Sequence, residues 1–212
     1  MTKRAPLILI EGLDRTGKTT QTTLLQSSIP SSHLLKFPDR TTEIGKLINE
    51  YLTNKQLKMS DQSAHLLFSA NRWELAEHIK SLLYKGEVII MDRYVYSGVA
   101  YSAAKEVPGM SLEWCLSCDK GLPKPDLTIF LKLREGGNGQ REGFGEERYE
   151  VSEFQSRVRQ QFEKFENVEN KWCSLEVDGL SIEQVQALIW EKVSLLKDQE
   201  GKWLTTEEIS TF

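Results

Sequence analysis

Apolar residues along the chain fall into short blocks separated by stretches of helical spacing. Leu7–Ile10 is a run of four, the right length for a strand buried on both faces. Val88–Met91 and Leu127–Leu133 repeat that character. Leu34–Phe37, ended by Pro38, and the short Leu175–Val177 complete five candidate strands. Between them lie helical patterns. Lys18–Ser28 contains neither Gly nor Pro. Glu43–Leu52 is amphipathic through Ile44, Leu47, Ile48, Tyr51 and Leu52. Ser60 or Asp61 can cap a long helix through about Leu83, with Gly86 just past its end. Tyr94–Lys105, a short helix capped by Ser111, Arg148–Phe165 and Ser181–Leu196 follow. This alternation predicts an α/β fold of three layers, a five-stranded parallel sheet flanked by helices. Gly121–Pro125 marks a break. Residues 197–212 read as a polar tail with a docked Trp203 or Phe212.

Length and charge narrow the classes. At 212 residues without a repeat or an internal boundary, one domain spanning 1–212 is expected. A net charge of −4 argues against a general nucleic-acid or membrane binder. Basic residues can still converge on one cleft. No run approaches eighteen apolar residues, and the first strand begins within six residues of Met1, so neither a membrane span nor a secretory leader is expected. Three cysteines fit a reducing compartment, cytoplasmic or also nuclear. Cys115 and Cys118 form C-x-x-C without a second pair or a histidine at zinc spacing. Ordinary surface or packing roles are expected for His33, His65 and His78.

The most informative stretch follows the first strand. Gly12, Leu13, Asp14, Arg15, Thr16, Gly17, Lys18 and Thr19 fit G-x-x-x-x-G-K-T, and Thr20 continues into the helix. In such a loop backbone amides cradle phosphates, Lys18 reaches the β/γ-phosphates and Thr19 offers a hydroxyl to Mg²⁺. Asp14 and Arg15 are unusual charged fillings.

Three further groups bear on that loop. Asp92 ends an apolar strand and is expected beside the first one, in the Mg²⁺ shell with Thr19. Arg93 follows directly. Phe37-Pro38-Asp39-Arg40 closes the second strand, and ligands bind at the carboxyl ends of strands in open α/β sheets, so Arg40 implies a second phosphate site. Phe68 and Arg72, spaced i, i+4, share a helix face and suit a planar base, one by stacking and one by hydrogen bonding to its edge. Residues 134–148 are glycine-rich and carry Arg141 and Arg148, a composition that suits a lid.

Two phosphate-binding sets suggest a kinase whose acceptor is itself a phosphate. The second pKa of such an acceptor is near 6, so at neutral pH it is already a dianion and needs no strong general base. Charge screening and in-line alignment remain.

At this point the sequence resembles thymidylate kinase of the eukaryotic type over almost its whole length. The blocks that carry the resemblance include Glu11–Thr20, Phe37–Arg40, His65–Glu74, Asp92–Tyr94, Ser97–Tyr101, Gly121–Asp126 and Glu147–Glu150. The resemblance implies phosphorylation of dTMP to dTDP with ATP and Mg²⁺, in support of dTTP synthesis. It implies that Asp14 contacts the sugar 3′-hydroxyl and that Arg15 is a built-in arginine finger, with Lys18 and Arg93 also catalytic. Arg40 and Arg93 would hold phosphates, and Phe68 and Arg72 the thymine. Phe37, Ser97, Gly98, Tyr149 and Gln155 would lie around the nucleotide, and Tyr101 would crowd the place of a ribose 2′-hydroxyl. A homodimer formed through helices is also implied. Asp39 stands where Glu is usual, and Ser117-Cys118-Asp119 replaces a more usual Gln-Pro-Asp. A deoxynucleoside kinase of similar fold is the alternative. It needs a general base where Arg40 lies.

Overall fold

The computed structural model describes residues 4–134, 147–204 and 208–212. Their five strands are β1 (Leu7–Gly12), β2 (Ser32–Lys36), β3 (Val88–Asp92), β4 (Leu127–Lys132) and β5 (Trp172–Glu176). Their eight helices are α1 (Lys18–Ser28), α2 (Glu43–Thr53), α3 (Asp61–Trp73), α4 (Ala76–Tyr84), α5 (Val95–Ala103), α6 (Leu112–Ser117), α7 (Ser152–Glu166) and α8 (Ile182–Ser194). All strand pairs are parallel, in the order β2-β3-β1-β4-β5.

Both faces of the sheet are buried, which is why its central strands are continuously apolar. Leu7, Leu9, Ile89 and Met91 enter one core with residues of α4, α5 and α7. Ile8, Ile10, Val88 and Ile90 enter the other with Leu25, Val185 and Ile189. The period of two along each strand thus feeds two cores at once. A smaller cluster joins α2 and α3 through Ile48, Tyr51, Leu52 and Ala64.

The edge strands lie two or three residues earlier than expected, at Ser32–Lys36 and Trp172–Glu176. Being half-exposed, they tolerate polar residues that blur the apolar pattern. The expected helix from residue 60 to about 83 is two helices separated at Glu74 and Leu75. α3 packs on α2 and α5, while α4 lies against β3. Asn71 and Glu74 turn toward the β2–α2 connection: Asn71 Nδ2 donates to the Asp39 carbonyl (3.1 Å) and Thr42 Oγ1 to Glu74 Oε2 (2.8 Å). Neither Gly nor Pro marks the change. α7 begins at Ser152 rather than 148, because residues 147–151 form a turn, the Glu150 amide donating to the Glu147 carbonyl (3.2 Å), and Val151 is extended. In the tail both expected anchors dock, Trp203 beside the second core and Phe212 beside the first.

Candidate active site

The site grows from the carboxyl end of β1. Gly12 has φ 155°, and a Cβ there would meet Thr16 Oγ1 at 2.7 Å and the Leu131 carbonyl at 2.8 Å. Only glycine lets the chain turn so close to β4. Arg15 and Gly17 have φ values of 62° and 92°, so the loop winds through two left-handed residues before α1 starts at Lys18. Gly17 offers no side-chain cap, leaving the first amides of α1 directed at the loop. Lys18 Nζ lies inside the curl, donating to the Leu13 carbonyl (2.5 Å) and Thr16 Oγ1 (3.3 Å). Burial and the nearby Arg93 lower its pKa to about 8. Thr20 is exposed on the first turn of α1.

Asp92 sits in register with Ile10 of β1 and Lys36 of β2. Its Oδ2 accepts a 2.6 Å hydrogen bond from Thr19 Oγ1. The expected hydroxyl and carboxylate are therefore together, and both are hard oxygen donors of the kind Mg²⁺ takes.

Arg93, at φ 66°, turns back across β1. Its Nη1 donates to the Gly12 carbonyl and to Ser97 Oγ, each at 3.0 Å, and its Nη2 to Asp14 Oδ1 at 2.5 Å. Asp14 Oδ2 accepts from Tyr101 Oη (2.9 Å) and Gln155 Nε2 (2.6 Å). Burial opposes the Asp14 carboxylate, but Arg93, Lys18 and these donors outweigh it and hold its pKa below the ordinary value. Four elements converge on this one side chain.

Glu11 anchors the arrangement and was given no role on sequence grounds. It is fully buried, and its carboxylate accepts from the Tyr94 and Ser97 amides (3.0 Å each) and from Ser97 Oγ (2.5 Å). Tyr94 gives α5 no cap of its own, so β1 supplies it. Burial raises the Glu11 pKa against the pull of Arg93 and these donors. The clue was an acid at the end of an otherwise apolar strand.

Across a cleft of about 1150 Å³ stand Phe68 and Arg72 of α3, on one face as expected. Arg72 is spanned by Asp119: Nε donates to Oδ1 (3.1 Å) and Nη2 to Oδ2 (2.6 Å). Gly98 of α5 makes room, since a Cβ there would lie 2.5 Å from Arg72 Nη1. Phe37 is buried against Tyr94, ring centroids 5.3 Å apart, and its bond to Pro38 is cis. Tyr149 stacks on Phe154 and meets Tyr101 edge-on at 5.9 Å.

Arg15 and Arg40 reach toward one turn. Arg15 Nε donates to Glu150 Oε1 (3.1 Å), and Arg40 Nη2 to Glu147 Oε1 (2.8 Å). The arginines were legible in the sequence; their carboxylate partners were not. Arg148, expected to come from the lid, points at the end of α2. There it donates to the carbonyls of Tyr51, Asn54 and Leu57, each at 2.8 Å. These are carbonyls of the last turn of α2, its cap and the loop that follows, groups a helix end leaves without intrahelical partners. Arg141 and most of the expected lid lie outside the described residues.

The sheet order and this loop define the class, a phosphate-loop kinase fold. Comparison with known proteins specifies it. The family pattern of thymidylate kinase matches residues 10–189. Thymidylate kinase of Dictyostelium discoideum is 42% identical over 99% of the chain and 92% of its own length. The human enzyme is 49% identical over 74% of each chain. The structure of thymidylate kinase from Candida albicans superposes with a TM-score of 0.87 at 49% identity, covering 92% of this chain and 93% of that one. The chain belongs to the thymidylate kinase family of enzymes.

Proposed function

We propose that the protein transfers the γ-phosphoryl group of ATP to dTMP, giving ADP and dTDP. The observation that carries this reading is that one cleft is lined by the phosphate loop, by Phe68 and Arg72, and by Arg40 and Arg93. This lining suits a nucleoside monophosphate with its base on α3 and its phosphate toward the arginines.

In this reading the loop amides and Lys18 hold the donor phosphates. Asp14, fixed by Arg93, Tyr101 and Gln155, receives the sugar 3′-hydroxyl, while the Tyr101 ring excludes a 2′-hydroxyl. Phe68 stacks on thymine and Arg72 donates to its edge, with Phe37, Ser97, Gly98 and Tyr149 completing the enclosure. Arg40 and Arg93 neutralise the acceptor phosphate, and Arg15 moves onto the transferring group. Such an arginine is worth about 10³–10⁵ in rate in related phosphoryl transfers. The acceptor oxygen carries no proton that must be removed, so these residues need only align and screen. Thr19 and Asp92 would hold Mg²⁺, which when bound screens donor phosphate charge.

A single domain with a lid at about 134–148, a homodimer and a cytoplasmic location, with a nuclear one also open, belong to the same reading. Among the described residues no helix is long and apolar enough to cross a membrane. Assay of ADP release across the nucleoside monophosphates and thymidine tests the function. The expected result is preference for dTMP. Preference for thymidine would favour a deoxynucleoside kinase, against which Arg40 stands as a cation at the position of the required base.

A further inference from the structure

Residues 208–212 lie beyond the segment matched by the family pattern, yet they are hydrogen-bonded to Arg4 and to residues 121–124. Arg4 Nε donates to the Glu208 carbonyl (2.9 Å) and the Lys124 amide to the Ser210 carbonyl (2.7 Å). Thr211 bridges antiparallel to Pro123, and the Phe212 amide donates to the Leu122 carbonyl (3.1 Å). The Gly121 amide returns a bond to the Phe212 carbonyl (3.2 Å). These residues thus add a short strand-like rail to residues 121–124.

The rail touches two site residues at one remove. Residues 121–124 continue directly from Asp119, whose carbonyl accepts the Leu122 amide (3.1 Å) and whose carboxylate spans Arg72. The Phe212 ring packs against Tyr94 (6.0 Å between centroids) and Tyr96 (5.2 Å). Tyr94 follows Arg93. Its buried hydroxyl has no hydrogen-bond partner among the described residues, so packing alone orients the ring, Phe37 on one side and Phe212 on another. Both contacts lead to the base and acceptor-phosphate side of the cleft. The phosphate loop is set by β1, β4 and α1, and the Phe212 contacts reach it one step further on, through the Arg93 bonds to the Gly12 carbonyl and to Asp14.

The geometry points to Phe212 as a positioning residue for the acceptor half of the site, acting through Tyr94 on Arg93 and through residues 121–124 on Asp119 and Arg72. This rests on the reading of that half as the monophosphate site. Removing the ring should loosen the acceptor pocket more than the phosphate loop, which keeps its own supports from β1, β4 and α1.

The test is steady-state kinetics with both substrates varied, on the parent protein and on Phe212→Ala, Phe212→Leu and a deletion of 208–212. Thermal unfolding is followed on the same samples. Phe212→Ala is expected to raise the KM for dTMP at least fivefold and leave that for ATP within twofold. Phe212→Leu, which refills the volume, is expected to recover most of the loss. Trp203→Ala, which empties a contact at the other core, serves as the control: its melting temperature falls while the dTMP KM holds. Equal rises in both KM values, an unchanged dTMP KM in folded Phe212→Ala, or a matching dTMP effect in Trp203→Ala would overturn the inference. If Phe212→Ala or the deletion does not fold, Phe212→Val carries the same comparison at smaller loss of volume, with Phe212→Leu as its conservative control. The parent protein is profiled first. Should it prefer another monophosphate, the function reading fails and the split between donor and acceptor is measured with that substrate.

Discussion

Arg72 and Asp119 meet edge to edge in a two-point ion pair that solvent does not reach, their side chains 3% and 0% exposed. Ser69 Oγ adds a third donor to the carboxylate at 2.7 Å. A guanidinium gripped on two of its nitrogens has a fixed plane, and its remaining donors have fixed directions. The expected outcome for Asp119→Asn is a rise of about tenfold in the KM for dTMP with that for ATP unchanged, about 1.4 kcal/mol. Asp119→Ala leaves the buried cation unpaired and is expected to cost about 3–5 kcal/mol of stability in denaturant unfolding.

Gly98→Ala probes the same guanidinium from the other side. In α5 an alanine should gain about 1 kcal/mol of helix propensity. The added Cβ, 2.5 Å from Nη1, collides with a group that Asp119 prevents from retreating. The collision should win: dTMP affinity falls at least tenfold by titration calorimetry and stability does not rise.

Phe68→Ala removes the ring proposed to stack on the base. Stacking of a base on an aromatic residue is worth about 1–3 kcal/mol. Weakening of dTMP binding by that amount, with ATP binding unchanged, is expected in calorimetry. Equal losses for both ligands would contradict the stacking role.

Arg15→Ala should separate chemistry from binding. Its side chain reaches from the loop to Glu150 and belongs to neither the base nor the sugar contacts. A fall in kcat of about 10³ or more is expected, with the dissociation constant for dTMP changed less than threefold. Collapse of dTMP binding would place Arg15 among the binding residues instead.

His65 predicts a pH dependence of stability. It is buried, its Nδ1 2.7 Å from Ser102 Oγ and its Nε2 2.8 Å from the Cys115 carbonyl. Burial, with help from Arg72 and against the Cys115 contact, lowers its pKa below the usual value. In the unfolded chain the imidazole takes up a proton near pH 6.5. Below that the unfolded state binds more protons than the folded one, so stability falls as the pH drops through 6.5. Melting temperatures between pH 7 and 5.5 should show this slope, and His65→Gln should flatten it.

Much of this was readable in the chain because β1, β3 and β4 are buried on both faces and so write unbroken apolar runs. Asp92 could be set beside the loop from its place at the end of such a run, and Arg72 beside Phe68 from helical spacing. What escaped was long-range and polar. Glu11 looks like any acid at a strand end until the amides of Tyr94 and Ser97 close on it. Asp119 is 47 residues from Arg72, a separation no periodicity spans. Glu147 and Glu150 find their arginines only because the Arg148 amide and side chain hold that turn to α2. The break at Glu74 was hidden because the apolar positions serve α2 and α5 before it and the sheet after it.

The turn that carries Glu147 and Glu150 gives the cleft built-in placeholders. An anion entering alone at Arg40 or at Arg15 must evict a carboxylate and recovers only one contact for one broken. Engaging both arginines breaks two tethers, while Arg148 still holds the turn to the end of α2. Any anion that binds Arg15 or Arg40 must therefore compete with a carboxylate of this same turn.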